Sequence, residues 1–291
     1  MNFAETMIAK AASMQKVLVL PEGTEPRTVA AARLILDRKI AAGVILVGNR
    51  QQVLATAETA GVTIDDVTIT DPLESDLRSA YAEEYTALRK HKGLGYDEAF
   101  AQIVDPLKWG AMMVRRGDAD GMVAGAENST GNVLVAAFTI IKTRPGTSYA
   151  SSSFIMCTDK RDMGIDGNFI FSDCATIPDP TAEQLAEIGE AASQSCRIFL
   201  NAEPVTAFLS FSTKGSASHP LTEKVIKATA LLKEKCPDLL CDGELQLDAA
   251  IVPAVGSKKA PSSPVAGKAN VLVFPDLQSG NIGYKLVQRL A

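Results

Sequence analysis

The 291-residue chain has only two histidines, His91 and His219, and a single tryptophan. Two histidines cannot build a His-rich metal site, so zinc chemistry is close to excluded. The five cysteines (Cys157, Cys174, Cys196, Cys236, Cys241) are odd in number and include no CxxC pair. That argues against a disulfide framework and for a reducing compartment. Long apolar runs are missing as well: IAAGVILVG at 40–48 is among the longest and is far too short to span a bilayer. The opening MNFAETMIAKAASMQK is charged and amphipathic, without the apolar core of a signal peptide. A net charge of −5 lacks the basic footprint that nucleic acids or anionic membranes require. The motifs GxGxxG, GxxxxGKS/T, GxSxG and HExxH are all absent, which leaves dinucleotide binding, P-loop hydrolysis and the common hydrolase triad without support. The expectation is a soluble, cytoplasmic protein with neither nucleic-acid nor membrane partners.

Aromatic residues make up only 5% of the chain, against 46% apolar residues in all. Ala, Val, Leu and Ile must therefore build the core, a composition suited to helices packed on a parallel sheet. Short β-branched runs do alternate with helical patterns. KVLVLPEG (16–23), GVILVGN (43–49) and VTITDP (67–72) read as strands, with helices over 25–38, 51–61 and 75–93 between and after them. A helix over 105–118 and a strand within 119–132 follow, and VLVAAFTIIK continues as helix. TRPGTSYASSS (143–153) has the composition of a boundary. Beyond it, SSFIMCTDK and NFIFSDCATIPDP predict a hairpin-like insertion. Helix 181–197, strand 205–210 and helix 220–235 then restore the alternation, and strand 269–277 and helix 279–291 close it. GSKKAPSSPVAGKA (256–269) is linker-like in composition and reads as a loop inside the second domain. The fold class predicted is α/β, with two doubly wound domains over 1–145 and 146–291. Ligands of such sheets bind at the strand C-terminal ends, where the loops 125–132 and 212–219 lie.

The stretch FLSFSTKGSASHPLTEKV (208–225) carries the strongest local signal. Small residues, hydroxyls, a lysine and a helix start together favour an anion, although Gly and Ser are also ordinary turn residues. GAENSTGN (125–132) offers the same two alternatives, with Asn128 or Ser129 as a helix cap. LRKHKG (88–93) gathers cations at a helix C-terminus, where the macrodipole alone favours them. Cys157 has a buried, inert cysteine as its default role, unless Lys160 and Arg161 approach and lower its pKa.

Taken together, VLPEG (19–23), ADGMVAGAENST (119–130), IIKTRPG (140–146), SSFIM (152–156), FSDCA (171–175), LSFSTKGSA (209–217), DGELQLDAA (242–250), KKAP (258–261) and VFPDLQSGNIGYKLVQRL (273–290) resemble the phosphate acetyl/butyryltransferase family along essentially the whole chain. The resemblance implies an isocitrate/isopropylmalate dehydrogenase-like fold with the site in a cleft between the domains, and a homodimer. It also implies reversible acetyl transfer between acetyl-coenzyme A and phosphate, giving acetyl phosphate and coenzyme A, without metal or organic cofactor. By the same resemblance Arg89 lies near coenzyme A, and Asn128, Ser129 and Thr130 face the acetyl-phosphate site. Ser212, Thr213, Lys214, Gly215 and Ser216 form the facing loop, and Asn281 and Lys285 stand at the start of the last helix. Cys157 and Arg144 are further residues near the site.

Two departures accompany the resemblance. Relatives commonly carry an arginine where this chain has Val135. The family also continues past the final helix into a Ser-Arg-Gly motif and a following aspartate, among its proposed catalytic groups, whereas this chain ends at Ala291. No catalytic residue is therefore assigned within it. Two further activities stay open: a phosphate butyryltransferase with a roomier acyl pocket, and a regulatory domain that binds acyl-coenzyme A without turnover.

Overall fold

The computed structural model describes residues 2–145 and 147–290. Met1, Gly146 and Ala291 lie outside the described residues, and with them one end of the TRPG stretch and the last residue of the expected final helix. The chain divides into two compact units, one up to Thr143 and one from Arg144 onward.

The first unit runs α1 (Phe3–Met14), β1 (Val17–Leu20), α2 (Pro26–Asp37), β2 (Gly43–Val47), α3 (Arg50–Ala60), β3 (Thr68–Thr70), α4 (Arg78–Arg89), α5 (Tyr96–Gln102), α6 (Pro106–Arg116), β4 (Gly121–Met122) and α7 (Thr130–Ala136). A π-helical turn, Ala137–Ile141, extends α7. The helix ends follow from local chemistry. Asn49 caps α3 and Gly61 closes it in the left-handed region; Asp105 with Pro106 opens α6, which Gly117 ends in the same way. The four strands are all parallel, in the order β3-β2-β1-β4. Side chains alternate along them. Val19 and Val47 enter the core beneath α4, α6 and α7, while Leu20, Val44 and Leu46 enter the core beneath α2 and α3. Both faces of the sheet are thus covered, which is why its strands read as continuous apolar runs.

The second unit runs β5 (Phe154–Cys157), β6 (Asn168–Ser172), α8 (Ala182–Ser195), β7 (Thr206–Leu209), α9 (Pro220–Lys235), β8 (Cys241–Leu245), α10 (Leu247–Ile251), α11 (Pro253–Lys259), β9 (Val271–Val273) and α12 (Leu277–Leu290). Strand order is β5-β6-β9-β7-β8, with β5 antiparallel and the rest parallel. Again successive residues serve opposite faces. Phe169, Phe171, Leu209 and Leu272 pack with Tyr284 and Val287 of α12, whereas Ile170, Phe208, Val271 and Val273 pack under α8 and α9.

Two expectations need correction, and one strand was not expected. The pair 154–157 and 168–172 forms a hairpin, but β6 also pairs with β9, so the hairpin is the edge of the main sheet and not an insertion. The stretch 256–269 lies inside the second unit, as expected, but is not all loop: α11 takes its first four residues, and Val265, Ala266 and Ala269 are buried in the core. A Cβ at Gly256 would stand 2.6 Å from the backbone nitrogen of Gly267, so the two ends of the stretch are pressed together. Finally, β8 carries Asp242 and Glu244, both buried, and its charges hide it from a hydropathy pattern.

Candidate active site

In the first sheet β1 and β4 are neighbours, yet α2 leaves β1 onto one face and α7 leaves β4 onto the other. The loops after these strands must diverge, and such a switch point is where parallel sheets open a crevice at their C-terminal edge. A cavity of about 180 Å³ lies there, lined in part by Leu20, Glu22, Arg27, Val123 and Ala126.

Glu22 dominates this edge. Its side chain is 5% exposed. One carboxylate oxygen accepts the N–H groups of Gly125 (2.9 Å) and Ala126 (2.7 Å). The other accepts those of Glu127 (3.0 Å) and Asn128 (2.7 Å) and the Asn128 side-chain amide (3.0 Å). Burial pushes the Glu22 pKa up, but these donors outweigh it and hold the carboxyl at about 2. Gly125, at φ +108°, supplies the backbone shape that Cβ-bearing residues avoid. From outside, the Arg27 guanidinium donates to the Ala126 carbonyl at 2.6 Å.

The two alternatives for 125–132 are therefore divided between different residues. Residues 125–128 do cradle an anion, and that anion is the protein's own Glu22. Ser129 caps α7, its hydroxyl accepting the Asn132 N–H at 3.3 Å. Ser129 and Thr130 are exposed at the start of the helix. Val135, one turn on, is exposed at 58%.

Arg89 ends α4. Glu84 of that helix pairs with Arg115 and Arg116 in the last turn of α6, and the Tyr85 hydroxyl meets Gln102 ahead of α6. Arg89 forms no ion pair among the described residues.

In the second unit the loop after β7 also answers to internal carboxylates. Six consecutive N–H groups are engaged: Ser212 to the Ser210 hydroxyl, Thr213 to the Ser216 hydroxyl, Lys214 to the Glu244 carbonyl, Gly215 to the Glu244 carboxylate (2.7 Å), Ser216 to the Thr213 carbonyl, and Ala217 to the Ser212 hydroxyl. The Ser212 hydroxyl donates to the same Glu244 oxygen at 2.9 Å. Lys214 places its ammonium 2.7 Å from Asp242 and 2.8 Å from the Gly243 carbonyl. Asp242 also receives Lys233 (2.8 Å) and the Ser263 hydroxyl (2.5 Å). Burial raises its pKa, and these three donors overcome that and hold it at about 2. The small residues of this loop do not leave its N–H groups free for a ligand: the groups are already paired within the chain. What the loop turns outward is its rim, with Lys214, Gly215 and Ser216 exposed over buried Ser212 and Thr213.

β9 adjoins β7, and α12 leaves it on the face opposite α9. The start of α12 therefore shares a second switch-point edge with the 212–216 loop. Asn281 donates its amide to the Cys174 carbonyl at 3.1 Å, tying α12 to the loop after β6. In that loop Asp173 is buried and accepts the N–H groups of Ser152, Ala175, Thr176 and Ile177. Lys285 is exposed one turn further on, its ammonium 5.7 Å from the centre of the Tyr284 ring.

Two residues expected near the site are placed elsewhere within their unit. Cys157 pairs with Asn168 at the start of β6, so it lies at the opposite edge of the sheet from the 212–216 loop. Cys157 is exposed and not buried as its default role supposed; desolvation still pushes its thiol pKa up, and the nearby Arg161 opposes this only in part, so the conditional lowering does not occur. Arg144 hydrogen-bonds Gln194 in the last turn of α8, the end of that helix remote from the strand C-terminal edge.

The internal carboxylates Glu22, Asp173, Asp242 and Glu244 had no role in the sequence. Their signal is visible afterwards: each is an acidic residue inside or just after an apolar strand run, in VLVLPEG, FIFSD and CDGEL. Lone carboxylates there need local donors. All five cysteines are unpaired. Among the described residues no cluster of three His, Cys, Asp or Glu is arranged to hold a metal ion, and no helix is long and apolar enough to cross a membrane.

A phosphate acetyltransferase of Treponema pallidum is 52% identical over all of this chain and 88% of its own length. The solved phosphotransacetylase of Streptococcus pyogenes is 40% identical, with a TM-score of 0.92 over 99% of this chain and 85% of that one. A phosphotransacetylase from Staphylococcus aureus is 36% identical, with a TM-score of 0.89 over 99% of this chain and 86% of that one. The family model described as phosphate acetyl/butaryl transferase matches residues 2–291, and the chain belongs to that family.

Proposed function

We propose that the chain transfers an acetyl group reversibly between coenzyme A and inorganic phosphate. One observation carries this: relatives about half identical along the whole chain are named phosphate acetyltransferase. That name also favours acetyl over butyryl as the acyl group.

In the direction of thioester synthesis the coenzyme A thiolate attacks the acetyl carbonyl of acetyl phosphate. The new C–S bond forms, the C–O bond to phosphate breaks, and inorganic phosphate leaves with the electron pair. The thiol proton goes to a base. Transfer is direct within a ternary complex, so holding the two substrates together supplies much of the rate. No metal or organic cofactor takes part. Arg89, half-buried and free of ion pairs among the described residues, meets the phosphates of coenzyme A. Asn128 shapes its loop through Glu22, and Ser129 and Thr130 donate to the acyl phosphate. The rim of the 212–216 loop, with Asn281 and Lys285, supplies the remaining polar contacts of the second unit. The protein works as a cytoplasmic homodimer.

The test is to incubate the chain with acetyl phosphate and coenzyme A and follow thioester formation. Turnover dependent on both substrates supports the proposal. A folded chain that binds coenzyme A without turnover overturns it and leaves a regulatory acyl-coenzyme A-binding role.

A further inference from the structure

The carboxylate of Glu22 spans a long sequence interval to reach residues 125–128, and five donors converge on its two oxygens. Here every N–H from Gly125 to Asn128 is turned inward, and the exposed hydroxyl residues Ser129 and Thr130 follow immediately. The carboxylate thus fills the place an external anion would take at 125–128 and shifts the loop's outward face to 129–130. Arg27 closes the same loop from the other side through the Ala126 carbonyl, and it also holds Glu25 at 2.6 Å. A glutamine at position 22 could not substitute, because its NH₂ would point at N–H donors.

We propose that Glu22 is a positioning residue for acetyl transfer: it sets the loop so that Ser129 and Thr130, and not residues 125–128, meet the acyl phosphate. This rests on the proposed phosphate acetyltransferase activity. Misplacing reacting groups by ~1 Å costs up to about a hundredfold in rate, so the effect of losing Glu22 falls on catalysis with acetyl phosphate.

The test compares Glu22→Gln and Glu22→Asp with Val53→Ala, a control buried in the α2/α3 core away from the loop. Melting temperature, kcat, and KM for acetyl phosphate and for coenzyme A are measured for each. Backbone amide exchange at 125–128 is followed in parallel. Glu22→Gln is expected to lower kcat/KM for acetyl phosphate by about tenfold or more, with the coenzyme A KM changed less than about twofold. Glu22→Asp, which keeps the charge, recovers part of the loss, and Val53→Ala loses melting temperature without this kinetic split. Amides 125–128 exchange faster in Glu22→Gln than in the control. If Glu22→Gln matches Val53→Ala in kinetics, Glu22 serves stability alone and the proposal fails. If the wild type shows no turnover, the functional proposal fails instead, and unchanged amide exchange in Glu22→Gln would then also refute the hold on the loop.

Discussion

The ammonium of Lys214 sits 2.7 Å from Oδ1 of Asp242, a carboxylate that is only 2% exposed. The lysine most readily taken for a ligand-binding cation is therefore first a partner of a buried anion. Lys233 shares the same oxygen at 2.8 Å. Asp242→Asn leaves two ammonium groups facing a neutral amide, and we expect it to destabilise the fold by roughly 3 kcal/mol. Lys214→Met keeps Lys233 and Ser263 on Asp242 and should cost about 1 kcal/mol. Urea unfolding of both variants measures the difference; equal losses would mean that Lys233 does not carry the pair.

Glu22 and Asp242 both have folded-state pKa values of about 2, below the roughly 4 expected in the unfolded chain. Their contribution is present above the unfolded value and is lost as pH falls from about 4 toward about 2. For Asp242 it is on the order of 2 kcal/mol. Acid unfolding followed by circular dichroism should steepen in that window for the wild type. Glu22→Gln and Asp242→Asn, though less stable at neutral pH, should each show a shallower slope there.

A Cβ at Gly280 would stand 2.4 Å from the Asp173 carbonyl oxygen. That neighbour is backbone and cannot swing aside. Gly280→Ala should therefore push the start of α12 off the loop after β6, costing about 1–3 kcal/mol. The Asn281 bond to the Cys174 carbonyl should weaken with it, so activity falls along with melting temperature.

Cys157→Ser should keep activity within about twofold, because the thiol lies at the far edge of its sheet and surface changes away from a site are nearly neutral. Thiol alkylation of the native protein, read against turnover, checks the same point. Loss of activity in the serine variant would place Cys157 in the site after all.

Arg89→Met should leave the melting temperature nearly unchanged, since Arg89 has no ion pair among the described residues to lose. The KM for coenzyme A should rise by roughly ten- to a hundredfold, the worth of a charge-assisted phosphate contact.

Much of the architecture was legible in the sequence. α9 begins at Pro220 behind its His219 cap and ends at Lys235, as the pattern over 220–235 predicts. The β-branched runs at 17–20 and 43–47 became adjacent parallel strands because both their faces are buried. β8 was not legible, since CDGEL buries two carboxylates whose partners, Lys214, Lys233, Ser212 and Gly215, lie elsewhere in the chain. The site was half legible for the same reason. Small hydroxylated loops at strand ends do mark anion-binding turns, but a sequence does not say that Glu22 and Glu244 reach back to occupy them.

Exchange of labelled inorganic phosphate into acetyl phosphate, with and without coenzyme A, tests direct acetyl transfer most plainly. Label should enter acetyl phosphate only when coenzyme A is present, because phosphate returns the acetyl group from the thioester. Exchange without coenzyme A would reveal an acetylated protein and contradict direct transfer, and no exchange in its presence would contradict the transferase activity itself.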